Sequence, residues 1–100
     1  MKSISTSELA KLLTGTKAIQ LIDVRTPLEY GARHIAQAKN VPLDDIDQFD
    51  EPKDQTYYVI CRSGRRLEQA CASLSQKGYT HVIDVQGGMN DWHGPTTAEF

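Results

Sequence analysis

Tyr57-Tyr58-Val59-Ile60-Cys61-Arg62-Ser63-Gly64-Arg65-Arg66 is the stretch that decides the fold. Its first four residues are aromatic or β-branched and read as a strand covered on both faces. From Arg65 to Lys77 the spacing predicts a helix. Leu67, Ala70, Cys71 and Leu74 recur at i, i+3, i+4 and i+7, and Gly78 supplies the stop. A strand that hands over directly to a helix is the repeating unit of a parallel sheet.

The same alternation extends in both directions. Upstream, Ser3-Ile4-Ser5 reads as a brief strand, and Ser5-x-x-Glu8 has capping-box spacing at the start of a helix carrying Leu9, Leu12 and Leu13. Gly15 suits a left-handed residue just past that helix. Residues 18–24 form a second apolar strand, and Thr26-Pro27-x-Glu29 starts a short helix expected to run to about Arg33. Asn40-Val41-Pro42-Leu43 can be only a short strand, because Pro42 has no amide to give a ladder. Residues 44–54 hold six acids against Lys53 alone and read as a solvated connection, with Ile46 and Phe49 dipping into the core from one helical turn. Downstream, residues 81–85 form another buried strand, Gly87-Gly88 turns out of it, and Met89 with Trp92 makes a closing helical turn. Pro95 to Phe100 reads as a plain polar tail. The expected architecture is α/β, a mostly parallel sheet with right-handed crossovers, and one domain over residues 1–100.

Composition narrows the function. A chain of 100 residues with 39% hydrophobic content builds one core. Eleven basic against thirteen acidic residues give a net charge of −2, which argues against a surface for nucleic acid or anionic lipid. No apolar run approaches the roughly 18 residues that span a bilayer, and the first residues lack the apolar stretch of an export signal. Two cysteines suit the thiols of a reducing, cytoplasmic setting.

The chemistry gathers in Cys61-Arg62-Ser63-Gly64-Arg65-Arg66. A turn from strand into helix leaves N–H groups free at the helix start, and with the macrodipole they make an anion site. Gly64 lets the turn curl so that successive amides point inward as a nest. Arg62, Arg65 and Arg66 add three positive charges. Each arginine close to the helix start opposes the dipole by roughly 0.3–1 kcal/mol, a local cost that an anion would offset. A cysteine at the mouth of such a nest is favoured as thiolate and is a candidate nucleophile. Cys71, by contrast, shares the apolar stripe with Leu67 and Leu74 and reads as core packing. No Cys-x-x-Cys occurs, and His34, His81 and His93 show no ligand spacing, so no metal or cofactor is expected.

Four landmarks in order resemble the rhodanese (thiosulfate sulfurtransferase) family, in particular its single-domain members. They are Leu21-Ile22-Asp23-Val24-Arg25 with Pro27-x-Glu29-Tyr30; His34-Ile35 with Asn40-Val41-Pro42; the six-residue loop from Cys61 to Arg66; and Gly87-Gly88-Met89-x-x-Trp92. Arg33, Ala36 and Gln37 depart from that pattern, standing where the family usually has Gly before the His and Pro-Gly after the Ile. The resemblance implies a five-stranded parallel sheet with helices on both faces. It also implies sulfur transfer: Cys61 takes the outer sulfur of thiosulfate or a similar small anionic donor, and the backbone N–H groups of residues 62–66 cradle the persulfide. Cyanide, a small thiol or a protein thiol then accepts the sulfur. Arg62, Ser63, Gly64, Arg65 and Arg66 are the expected binding residues, with Arg66 closing the loop against its own backbone. Asp23 and Arg25 are supporting candidates on the same sheet edge, although a mutual interaction that only holds loops is the preferred reading for both. His34 is expected to hydrogen bond structurally, and Met89 and Trp92 either line the pocket mouth or pack in the core.

Two other readings compete. A cysteine phosphatase or arsenate reductase needs an Arg six residues after the Cys, and that position is Leu67. A persulfide relay, or a non-catalytic module that binds a partner, remains the alternative.

Overall fold

The computed structural model describes residues 2–63 and 65–99, with Arg65 described by its backbone alone. In chain order the elements are β1 (Lys2–Ile4), α1 (Thr6–Leu13), β2 (Gln20–Asp23), α2 (Pro27–Ala32), β3 (Ala38–Asn40), a 3-10 turn (Leu43–Gln48), β4 (Tyr57–Ile60), α3 (Arg65–Gln76), β5 (Val82–Val85) and a second 3-10 turn (Gly88–Asp91). The five strands pair in parallel in the order β1-β5-β4-β2-β3. The chain therefore winds outward from β2 to β3, then returns to place β4 on the other side of β2 and winds away through β5. The direction of winding reverses between β2 and β4, and in open parallel sheets ligands bind at that reversal, beyond the carboxyl ends of the strands.

Strand alternation divides the core into two halves. Ile22, Val24, Val59 and Cys61 face α3 and the first 3-10 turn, packing on Leu67, Ala70, Cys71, Leu74 and Ile46. Leu21 and Ile60 face the other way, onto Leu9 of α1, Tyr30 of α2 and Met89 and Trp92 of the second 3-10 turn. Each fully buried Leu, Ile or Val contributes about 1.5–3 kcal/mol, so both layers are needed. Both capping boxes form: Ser5 with Glu8 on α1, and Thr26 with Glu29 on α2.

Three expectations are corrected. Gly15 is not left-handed, since among the described residues positive φ occurs only at Gly78, Gly87 and Gly88. α1 instead tightens at its end, where Gly15 N–H donates to the Leu12 carbonyl and the Thr14 hydroxyl to that of Lys11, so no left-handed closure is needed. The short third strand lies at residues 38–40 rather than 40–43. The pairing starts before Pro42, and the amides of Val41 and Leu43 still reach the carbonyls of Asp23 and Val24. The tail is not plain. Thr97 exchanges two backbone hydrogen bonds with His34 (2.9 and 2.8 Å), and Glu99 N–H donates to Gly31 (2.8 Å). Backbone pairing of a polar segment carries no side-chain signature, which is why composition hides it. Among the described residues no helix is long and apolar enough to cross a membrane.

Gly78 ends α3 as expected, with φ +97°. The N–H of Tyr79 returns to Leu74 (3.0 Å) and that of Gly78 to Ser75 (3.0 Å), the paired closure of a Schellman motif. A Cβ at Gly78 finds room, its nearest neighbour being the Lys53 side chain at 3.5 Å, so only the backbone conformation resists it. Gly78→Ala is expected to cost about 1–2 kcal/mol. Urea unfolding checks this as a lower midpoint with unchanged slope, and an unshifted midpoint contradicts it.

Candidate active site

Cys61 follows directly on β4, beside β2 at the reversal of winding, and the turn through Arg62 and Ser63 leads into α3. The thiol is not at the mouth of this turn. Cys61 is 0% exposed and belongs to the core half beneath α3. Strand alternation explains the difference: Cys61 follows Val59 onto the α3 face, so its side chain turns inward while Arg62 and Ser63 remain exposed. Gly64 and the Arg65 side chain, on which the curl of the nest and one of its charges depend, lie outside the described residues.

The leading end of the turn is held from the second 3-10 turn. Met89 N–H donates to the Cys61 carbonyl (2.8 Å) and Asn90 N–H to the Arg62 carbonyl (3.0 Å). Amides at the start of a helical turn lack intrahelical partners, and here the loop supplies them. Gly88 makes this approach possible, because at φ +58° a Cβ would lie 2.3 Å from the Cys61 oxygen and 2.7 Å from that of Arg62. From sequence, Gly87-Gly88 reads as a turn. That it clamps the cysteine loop needs the strand order, which places β5 next to β4.

The trailing end is tied to α2, and among the described residues the hydrogen bonds of the Arg66 side chain run to Glu29. The Arg66 guanidinium donates to both carboxylate oxygens of Glu29, at 2.5 and 2.9 Å. A bidentate charged pair is stronger than a bond to a neutral carbonyl. Glu29 is also already in place, since its Oε1 accepts from the Thr26 amide and hydroxyl at 3.1 Å each. Sequence reasoning takes Glu29 as a helix cap and misses this second role. The signal lies in its position after β2, the strand that pairs with β4. The Arg66 hydrogen bonds are the largest cause holding the Glu29 carboxyl at about 2, against burial and with help from Thr26. The same pair raises Arg66, which Cys61 and Asp23 further favour as a cation.

Asp23 and Arg25 engage each other. The Arg25 guanidinium donates to Asp23 at 2.7–3.1 Å, the Arg25 amide joins at 3.0 Å, and Arg25 Nη2 also donates to the Arg33 carbonyl at 2.6 Å. Both are buried, and their described side-chain hydrogen bonds end on each other and on Arg33. His34 stacks on Tyr30 and shares a 2.7 Å hydrogen bond through Nδ1 with the Tyr30 carbonyl. Met89 and Trp92 are buried in the core half that contains α1 and α2. Burial pushes the Cys71 thiol up to about 12, with Asp84 and Cys61 adding to it, which leaves a packed thiol and no nucleophile. Among the described residues no three His, Cys, Asp or Glu side chains are grouped to hold a metal ion.

The folded-state value for Glu29 is depressed, so the stability it contributes is complete above its ordinary value of 4.5 and is lost as pH falls from there through about 2. The stability difference between the wild type and Glu29→Gln is therefore expected to narrow from pH 6 to pH 3 in urea unfolding. A difference that is constant or widens contradicts the pairing.

The chain matches the family model "Rhodanese-like domain" over residues 5–95. A sulfurtransferase of Allochromatium vinosum is 37% identical over 98 residues, covering 94% of this chain and 92% of its own length. The thiosulfate sulfurtransferase PspE of Escherichia coli is 39% identical over 74 residues, covering 70% of each chain. The crystal structure of a rhodanese-like domain protein from Staphylococcus aureus superposes with a TM-score of 0.87 at 33% identity, covering all of both chains. With its cysteine turn at the reversal of a five-stranded parallel sheet, the chain belongs to the rhodanese-like sulfurtransferase family.

Proposed function

We propose that the protein moves sulfane sulfur through a persulfide on Cys61. The Cys61 thiolate attacks the outer sulfur of thiosulfate or a similar donor. A new S–S bond forms on Cys61 as the donor's S–S bond breaks, and the bonding pair leaves with sulfite. A thiol, cyanide or protein thiol then takes the terminal sulfur and restores the thiolate, giving a ping-pong cycle. The observation that carries this reading is the placement of Cys61 between β4 and the amino end of α3, with its carbonyl held by Met89. Partial positive charge at a helix start stabilises both an anionic donor and a persulfide anion. Arg62, Ser63, Gly64 and Arg65 complete the proposed binding loop. Arg66 and Glu29 fix its end, and Asp23 with Arg25 support it by holding the end of β2.

The burial of Cys61 adds a step. A sulfur with no solvent contact meets a donor only after a local opening of its surroundings, which precedes chemistry in this scheme. The proposed setting is cytoplasmic, where Cys61 and Cys71, neither of them in a disulfide, stay reduced.

A relay fed by another protein's persulfide is the second reading, favoured by the engagement of Arg66 with Glu29, which removes one charge that would attract a small dianion. Intact-mass measurement after mixing with thiosulfate is expected to show one added sulfur, abolished in Cys61→Ser and retained in Cys71→Ser. Gain only from a protein persulfide assigns the relay. Gain that survives Cys61→Ser, or no gain from any sulfane donor, contradicts the proposal.

A further inference from the structure

The carboxylate opposite the cysteine loop bears on which donor the site accepts. α2 packs on one face of the sheet and α3 on the other, yet Glu29 of α2 and Arg66 of α3 meet, so their ion pair crosses the crevice where the winding reverses. Their side chains are 25% and 30% exposed, which places the pair at the crevice wall rather than beneath it. Glu29 cannot swing aside without giving up the Thr26 amide and hydroxyl as well as Arg66. The Glu29 carboxylate at this wall thus offsets one of the loop's three arginines, so the site offers a donor less positive charge than its sequence carries.

Resting on the sulfur-transfer reading, we propose that Glu29 is a specificity-determining residue. It disfavours the thiosulfate dianion and admits a singly charged organic sulfane donor, of the type R–SO2–S⁻ or R–S–S⁻. With methanethiosulfonate the step is balanced. Cys61 gains the terminal sulfur, the donor's S–S bond breaks, and its bonding pair leaves on methanesulfinate. The reacting atoms match those of thiosulfate, and the charge of the donor differs by one.

The test compares kcat/KM for thiosulfate and methanethiosulfonate in the wild type and variants, because the change in their ratio cancels the donors' intrinsic reactivities. Glu29→Gln keeps a capping side chain able to bond Arg66 and removes only the charge. It is expected to raise the thiosulfate-to-methanethiosulfonate ratio about tenfold, mainly through KM for thiosulfate, as expected for one charge removed near the donor. Glu29→Asp, which keeps the charge, stays nearer the wild-type ratio. Arg66→Met leaves Glu29 unopposed, lowers the ratio, and gives an independent reading should Glu29→Gln fold poorly. If the ratio is unmoved in both, or falls in Glu29→Gln, the pair is merely structural and the assignment is overturned. If neither donor places sulfur on wild-type Cys61, the sulfur-transfer reading itself fails, and this assignment with it.

Discussion

The turn from β4 into α3 is tied at both ends, and the rest of the site depends on those ties. At its start, two amides of the second 3-10 turn hold the carbonyls of Cys61 and Arg62. At its end, Glu29 grips Arg66 with both oxygens. The two ties come from elements that follow the strands on either side of β4: α2 after β2, and the 3-10 turn after β5. Parallel pairing brings the carboxyl ends of all three strands to one edge, so each successor element begins beside the cysteine. The geometry of the loop is in this sense a consequence of the strand order.

The two cysteines show how position separates roles within one core half. Cys61 and Cys71 are equally buried and pack in the same cluster. Cys71 lies within α3, and burial together with the nearby Asp84 and Cys61 keeps it a thiol. Cys61 sits instead where a helix begins, on the same turn as Arg66. Electrostatic position rather than exposure distinguishes the candidate nucleophile from the structural thiol.

Much of this was legible in the chain itself. The i, i+3, i+4, i+7 stripe from Leu67 to Leu74, the caps at Ser5 and Thr26, and Gly78 as a stop are local signals, and local physics decides them. The turn at Cys61 was legible because a strand that hands over directly to a helix is encoded by consecutive residues. What escaped were partnerships made by pairing over distance. Glu29 is 37 positions from Arg66, and its capping role accounts for it locally. The tail pairs with His34 through backbone atoms, which every sequence has. Gly15 carries a real helix-stop signal, but the Thr14 hydroxyl and a tightened last turn satisfied the same carbonyls first. The inward side chain of Cys61 follows from its parity with Val59, a step that requires β4 to continue in extended form into the turn.

The central claim is that a loop pinned at both ends receives sulfur on a cysteine lying below it. A crystal structure of the protein after reaction with a sulfane donor tests this most directly. The account predicts one additional sulfur atom bonded to Cys61 Sγ, with the Met89-to-Cys61 hydrogen bond and the Glu29–Arg66 pair both retained. Sulfur found on Cys71, or a loaded loop that has released both ties, would contradict it.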